Sequence, residues 1–293
     1  MEARGGTLLI GGLLIDKPAG WTSHDVVAVV RKRLNTRSVG HAGTLDPFAT
    51  GLLVVLVGRA TRLARFIEGA EKRYDAVVRF GQASDTDDST GTMTDPVTPS
   101  AWASLAEVET ATRTLLGRQL QVPPAYSAKH VAGTRSYALA RAGHAVELPP
   151  VEVMVHGLDV TDWSPPDLRL AARVGRGTYI RALARDLGVR LEIPAHCAEL
   201  RRTAIGPFLV ADAVAPDAVT VDSLVTPARM LQHLPSEVVS VEAVRELGFG
   251  RVLPQQVACE GFGALVADDG RLVAVAEGRE GTWFPVVVLE PAA

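Results

Sequence analysis

The chain reads as an α+β protein: a large N-terminal body in which strands and helices are interspersed, followed by a small β-rich module. Three observations carry this. Tyr74 to Phe80 and Leu168 to Val174 alternate between apolar and polar residues, the signature of strands buried on one face. Other stretches place apolar residues near helical spacing, as Val26, Val27, Val30 and Leu34 do. Beyond Leu234-Pro235 the texture changes to short apolar runs separated by glycine turns. The boundary is therefore placed near 235, giving a body of 1–235 and a module of 236–293.

The elements follow in order. Leu8 to Asp16 is a short buried strand that ends at Lys17-Pro18, with a turn at Ala19-Gly20. Thr22 or Ser23 caps the first helix, and Asp25 suits its first turn. Gly51 to Val57 is an apolar strand, Arg59 to Ile67 a basic helix, and Tyr74 to Phe80 a strand. An acidic loop, Gln82 to Thr94, leads to a helix from Ser100 to Leu116. Leu120 to Pro150 is irregular, bounded by Pro123-Pro124 and Pro149-Pro150. Val151 to Val160 and Leu168 to Val174 are strands, Tyr179 to Leu191 is a helix, and Leu200 to Phe208 is a strand. In the tail the strands are Phe249 to Leu253, Gly263 to Ala267, Arg271 to Ala276 and Trp283 to Leu289. The Asp268-Asp269-Gly270 step marks a hairpin between the middle two.

A chain of 293 residues with 47% hydrophobic content buries a sizeable core without difficulty. No apolar run approaches the roughly 18 residues of a bilayer span, and the opening stretch lacks the basic and apolar regions of a signal peptide, so a cytoplasmic protein is expected. Cys197 and Cys259 have no CxxC partner, and a disulfide is not expected. The net charge of −3 hides segregation. Arg31 to Arg73 holds nine Lys or Arg against three acids, and Arg173 to Arg202 holds seven Arg against three acids. Gly81 to Thr112 holds six acids and no base. Local positive charge of this kind suits a phosphate backbone, although solvated helix faces would show the same pattern.

Generic catalytic sets are missing. The histidines show no metal-binding spacing, and there is no GxSxG elbow and no P-loop. The run Asp85 to Gly91 lacks the glycine and the terminal glutamate of a calcium loop. What remains is Gly40 to Gly51, where glycines flank a polar run that stops at Asp46-Pro47 and leads into an apolar strand. On residue types alone, Asp46 reads either as a helix N-cap before Pro47 or as a carboxylate presented at a cleft.

The run His41-Ala42-Gly43-Thr44-Leu45-Asp46-Pro47 with Ala49-Thr50-Gly51-Leu52-Leu53 resembles the catalytic motif of the TruB family, the bacterial tRNA pseudouridine-55 synthases. Leu14 to Ser23 is similar to that family's N-terminal motif, Lys72-Arg73-Tyr74 to its tyrosine motif, and Gly81-Gln82 with Asp85-Thr86-Asp87 to its acidic loop. Pro123 to Lys129 falls in its RNA-clasping insertion, Gly177 to Arg181 resembles its arginine motif, and Leu200-Arg201-Arg202 its last one. Seven matches fall in family order between about 10 and 210. The tail is similar to a PUA-type RNA-binding module.

The resemblance implies a mixed, largely antiparallel sheet flanked by helices, with residues 121–150 as the insertion. It implies an isomerase that flips uridine 55 out of the T-loop of tRNA, breaks the glycosidic bond and rejoins uracil through C5. Asp46 would be the essential carboxylate and Arg181 its fixed cation, while Tyr74 would stack on the flipped base and serve the C5 proton transfer. Leu200 would wall the base, and His41 would fill the space it leaves in the RNA. Lys17, with Pro18, would support the site. His41, Lys17, Tyr179 and Leu200 form the expected substrate-binding set. Asp85 and Asp87 would order their own turn. No metal or cofactor is implied; the partner is the tRNA T-arm, with no membrane and no obligatory protein partner, and the protein is expected to be a monomer. The alternatives are a non-catalytic RNA-binding or RNA-folding protein and a guide-dependent, dyskerin-type synthase.

Overall fold

The computed structural model describes residues 9–126, 130–131, 134–135 and 148–290. Most of the expected insertion, including Ser127-Ala128-Lys129, lies outside the described residues. The body runs β1 (Gly11–Lys17), α1 (Ser23–Arg33), β2 (Val39–Ala42), β3 (Thr50–Val57), a 3₁₀ turn (Gly58–Leu63), α2 (Ala64–Glu68), β4 (Lys72–Phe80), α3 (Leu105–Arg113) and β5 (Gly117–Gln121). It continues through β6 (His130–Val131), β7 (Thr134–Arg135), β8 (Val151–Ser164), β9 (Asp167–Val174), α4 (Ile180–Arg190), β10 (Ala195–Ile205), β11 (Phe208–Leu209) and α5 (Pro227–Met230). The tail adds β12 (Ser236–Val239), α6 (Val241–Gly248), β13 (Leu253–Pro254), β14 (Gly261–Ala267), β15 (Leu272–Arg279) and β16 (Thr282–Val288).

A nine-stranded sheet follows the path β1-β3-β10-β4-β9-β8-β5, with β2 on β3 and β11 on β10. Every pairing in it is antiparallel except β3 with β10, so the sheet is mixed and largely antiparallel. That one parallel contact is made at Thr50 and Gly51 against Arg201 and Arg202. Gly51 sits at φ +101°, and a Cβ there would lie 2.3 Å from the Arg202 carbonyl oxygen. Only glycine permits both the left-handed backbone and this approach. The junction brings the last motif of the sequence against the strand that follows Asp46.

Helices pack on this sheet for local reasons. Thr22 caps α1 in a reciprocal pair with Asp25, and the basic residues Arg31, Lys32 and Arg33 complement the dipole of its last turn. Its buried Val26, Val27 and Val30 meet Leu13, Ile15, Leu53 and Val55. The helix expected from Ser100 begins at Leu105, because Ser104 and Glu107 form the capping box. Leu183, Ala184 and Leu187 of α4 join Tyr74, Ala76, Val78 and Leu200 in a second core. The 59–67 helix is split between a 3₁₀ turn and α2.

A separate five-stranded sheet, ordered β12-β14-β15-β16-β13, begins at Ser236. Residues 249–253, read as a strand, are a turn after α6 and an irregular stretch that reaches β13 only at Leu253; Ser240 caps that helix. The tail is seated firmly on the body. Phe66, Ile67 and Met230 share a core with Ala264, Leu272, Val275, Val287 and Leu289. Phe66 and Phe262 meet edge to face at 5.1 Å. Arg59 donates to the Leu289 carbonyl at 2.9 Å and Arg62 to that of Val288 at 2.7 Å. Two cations of the basic run thus bind protein. Both cysteines are free. Among the described residues no helix is long and apolar enough to cross a membrane.

Candidate active site

Asp46 lies in the loop between β2 and β3, and no helix follows Pro47, so the N-cap reading of Asp46 is wrong. The loop is irregular, yet each carbonyl from Gly43 to Pro47 finds a donor. Arg202 is 1% exposed, and its guanidinium donates to Gly43 and Thr44 at 3.2 Å each and to Leu52 at 2.7 Å. Ser23 Oγ bonds both the carbonyl and the N–H of Leu45. The Asp46 carbonyl accepts from Ala49 N–H, and that of Pro47 from Gly20 N–H. A loop held by this many backbone bonds presents its side chains with little ordering cost at the moment of reaction.

Lys17 belongs to this scaffold. It is wholly buried, and its ammonium donates to the carbonyls of Pro18, Trp21 and Pro47 at 2.9, 2.7 and 3.3 Å. Burial pulls its pKa down to about 8, against the opposing charge of Asp46. Its three donors are all engaged by backbone carbonyls, which fits the supporting role expected for it beside Pro18.

Arg181, in the first turn of α4, is 3% exposed and faces Asp46 side-on. Its Nε lies 2.9 Å from Asp46 Oδ2, and its Nη2 donates to Oδ1 at 3.2 Å. Only the Nη2 contact has hydrogen-bond geometry; the Nε contact is an ion pair. Its Nη1 donates to the Thr86 carbonyl at 2.8 Å and to Asp88 Oδ2 at 3.2 Å, and its Nη2 also to the Tyr126 carbonyl at 3.0 Å. Asp88, 4% exposed, accepts in addition from Thr86 Oγ1, Thr90 N–H and Thr90 Oγ1. Two carboxylates thus share one guanidinium. Burial pushes Asp46 above the usual carboxylate range; Arg181 opposes that shift and Asp88 adds to it.

The remaining expected residues fall close by. Tyr74 and Leu200, each 7% exposed, belong with Leu45 and Ala49 to the core beneath the loop. Leu200 also borders an open groove of about 600 Å³ with Phe48, Thr50, Ala76 and Ser89. His41 is half-buried on β2, with Nδ1 enclosed and unpartnered. Burial lowers its pKa, which favours the neutral ring. Tyr179 is the N-cap residue of α4. Asp85 accepts from Thr92 N–H and orders its own turn, whereas Asp87 pairs with Arg185 at 2.8 Å.

The family model described as "TruB family pseudouridylate synthase (N terminal domain)" matches residues 31–180. A protein of Thermobifida fusca (strain YX) named tRNA pseudouridine synthase B is 45% identical over 95% of this chain and 98% of its own length. The chain belongs to the TruB family of pseudouridylate synthases. A second relative with the same name, from Arthrobacter sp. (strain FB24), is 38% identical over 97% of this TruB-family chain and 98% of its own length. The solved structure described as "Crystal Structure of a Cbf5-Nop10-Gar1 Complex" superposes with a TM-score of 0.75 at 23% identity, covering 97% of this chain and 86% of that one. That likeness establishes a shared fold.

Sequence reasoning missed Asp88, Gln121 and the loop-binding role of Arg202. Asp88 sits in the acidic run that drew attention to Asp85 and Asp87; only the buried position of Arg181 distinguishes it. Gln121 is 1% exposed and bonds the Tyr179 backbone, a contact no local pattern announces.

Proposed function

We propose that this TruB-family enzyme isomerises uridine 55 in the T-loop of tRNA to pseudouridine, with Asp46 as the essential carboxylate. The observation that carries the reading is the close ion pair of Asp46 with a buried Arg181, hydrogen-bonded through Nη2. Attack at C1′, attack at C6 and removal of a sugar proton all require that carboxylate ionised, and the guanidinium counters the burial that opposes ionisation. Tyr74 would stack on the flipped uracil and hold its hydroxyl for the C5 proton. Leu200 would close the apolar side of the base, and a neutral His41 would occupy its place in the RNA. The relatives' shared name, tRNA pseudouridine synthase B, supports tRNA as the substrate. Their identity to this chain is also far above that of the Cbf5 structure, which favours an enzyme that needs no guide.

Residues 1–235 form the catalytic unit in this reading, and 236–293 a PUA-like surface that meets RNA away from the reacting uridine. Pseudouridine mapped at base resolution tests it, using one unmodified tRNA transcript and a second with cytidine at position 55. The reading expects a single modified site in the first RNA and none in the second. Modification elsewhere in both would overturn the specificity.

A further inference from the structure

The end of β5 and the residues just after it are anchored to the helix that carries Arg181. Gln121, the last residue of β5, lies almost wholly buried. Its Nε2 donates to the Tyr179 carbonyl at 3.1 Å, and its Oε1 accepts from the Tyr179 N–H at 2.9 Å. A primary amide used this way mimics a strand partner and holds one peptide unit in place. Tyr179 is the N-cap of α4 and makes no side-chain cap hydrogen bond, and Gln121 holds its peptide unit from both sides. Two further contacts follow from the same segment. The Val122 carbonyl accepts from Arg185 Nη2 at 2.8 Å, and that of Tyr126 from Arg181 Nη2 at 3.0 Å.

We propose that Gln121 is a positioning residue for the reaction, acting through Arg181. This rests on the Asp46–Arg181 reading above. Arg181 is only two residues from the clamped peptide, and its guanidinium has acceptors on every side: Thr86, Asp88, Asp46 and Tyr126. A guanidinium so enclosed cannot follow a shifted helix start without losing some of these bonds. A displacement of about 1 Å at such a site costs on the order of 100-fold in rate. The same clamp places the root of the insertion, so the segment that leads to the clasp and the catalytic arginine share one anchor.

The test is single-turnover conversion of a T-arm stem-loop by Gln121→Leu and Gln121→Glu across pH, with RNA affinity measured alongside. Gln121→Leu is expected to lower the saturating rate about 10- to 100-fold with affinity nearly unchanged. Its acid limb is expected to move to higher pH, because a displaced Arg181 no longer holds the Asp46 proton off. Gln121→Glu keeps the acceptor half of the clamp and is expected to fall between Gln121→Leu and wild type; it carries the test if Gln121→Leu does not fold. In an Arg181→Lys background, adding Gln121→Leu is expected to cost less than about threefold more. Wild-type rates and pH profiles in both variants, or losses that multiply in the double variant, would overturn the proposal. Absence of pseudouridine with wild-type protein would instead sink the parent reading of function.

Discussion

Asp46 shares one guanidinium with Asp88, and this two-to-one ratio of acids to base decides how the site titrates. Burial raises the Asp46 pKa from 3.8, so the folded protein holds that proton more tightly than the unfolded chain. The sign follows: stability attributable to Asp46 falls as pH rises from 3.8 through the raised value, while activity, which needs the ionised form, appears over the same window. A profile of kcat/KM against pH should show an acid limb centred above 3.8. A limb at or below 3.8 would mean that Arg181 outweighs burial. Asp46→Asn should unfold at a temperature no lower than wild type near neutrality, since Asp88 still neutralises Arg181. Arg181→Met, by contrast, strands both carboxylates and should cost about 3–5 kcal/mol in urea denaturation. Tyr74→Phe keeps the stacking ring and should slow the saturating single-turnover rate by about 100-fold or more without loss of RNA affinity. The sequence showed Asp46, Tyr74 and Arg181 through motifs. It hid Asp88, because an acidic run looks the same whether an arginine from a distant helix enters it or not.

Among the elements, those with strong periodicity or capping pairs were legible: β1, α1, β3, β4, β9 and α4 fall close to their expected positions. The missed ones have little period of their own. The four residues of β2 exist because β3 offers them an edge, and β5 because it pairs with β8. The helix α6 lies at 241–248, a stretch where no element is expected from sequence; Ser240 capping marks its start. The junction of β3 and β10 is the element on which the site depends most. Gly51→Ala would force a Cβ into the Arg202 carbonyl at a left-handed backbone position. Chemical denaturation should show a loss on the order of 3–5 kcal/mol, with turnover reduced as Arg202 releases the Asp46 loop. A neutral Gly51→Ala would show that the parallel contact is dispensable.

The whole molecule behaves less like two beads than the change of texture at 235 suggested. The tail buries Phe66 and Met230 of the body, and Arg59 and Arg62 tie it down through carbonyls. Because of that shared core, protein lacking 236–293 exposes apolar surface and should melt at least about 10 °C lower or aggregate. The basic runs also contribute less to RNA than their count implied. Arg31, Arg33, Arg59, Arg62, Lys72, Arg181, Arg185 and Arg202 donate to protein carbonyls, although Arg33, Arg59 and Arg62 are exposed like Lys32, Arg37 and Arg176. Affinity for tRNA should still fall with salt, at close to one logarithmic unit per phosphate neutralised. The slope should report a handful of phosphates rather than the full complement of basic residues. A slope matching that full complement would require internally bonded arginines to turn outward.

The role of Asp46 is tested by single-turnover conversion of an unmodified tRNA transcript with wild-type protein and Asp46→Asn, reading pseudouridine base by base. Asparagine is nearly isosteric and can still accept from Arg181, so folding and tRNA affinity should persist. Wild type should convert position 55 completely, and Asp46→Asn should be at least about 1,000-fold slower, a loss of some 4 kcal/mol of transition-state stabilisation. Comparable turnover by the two proteins, with both folded and bound to RNA, would contradict the assignment of Asp46 as the essential carboxylate.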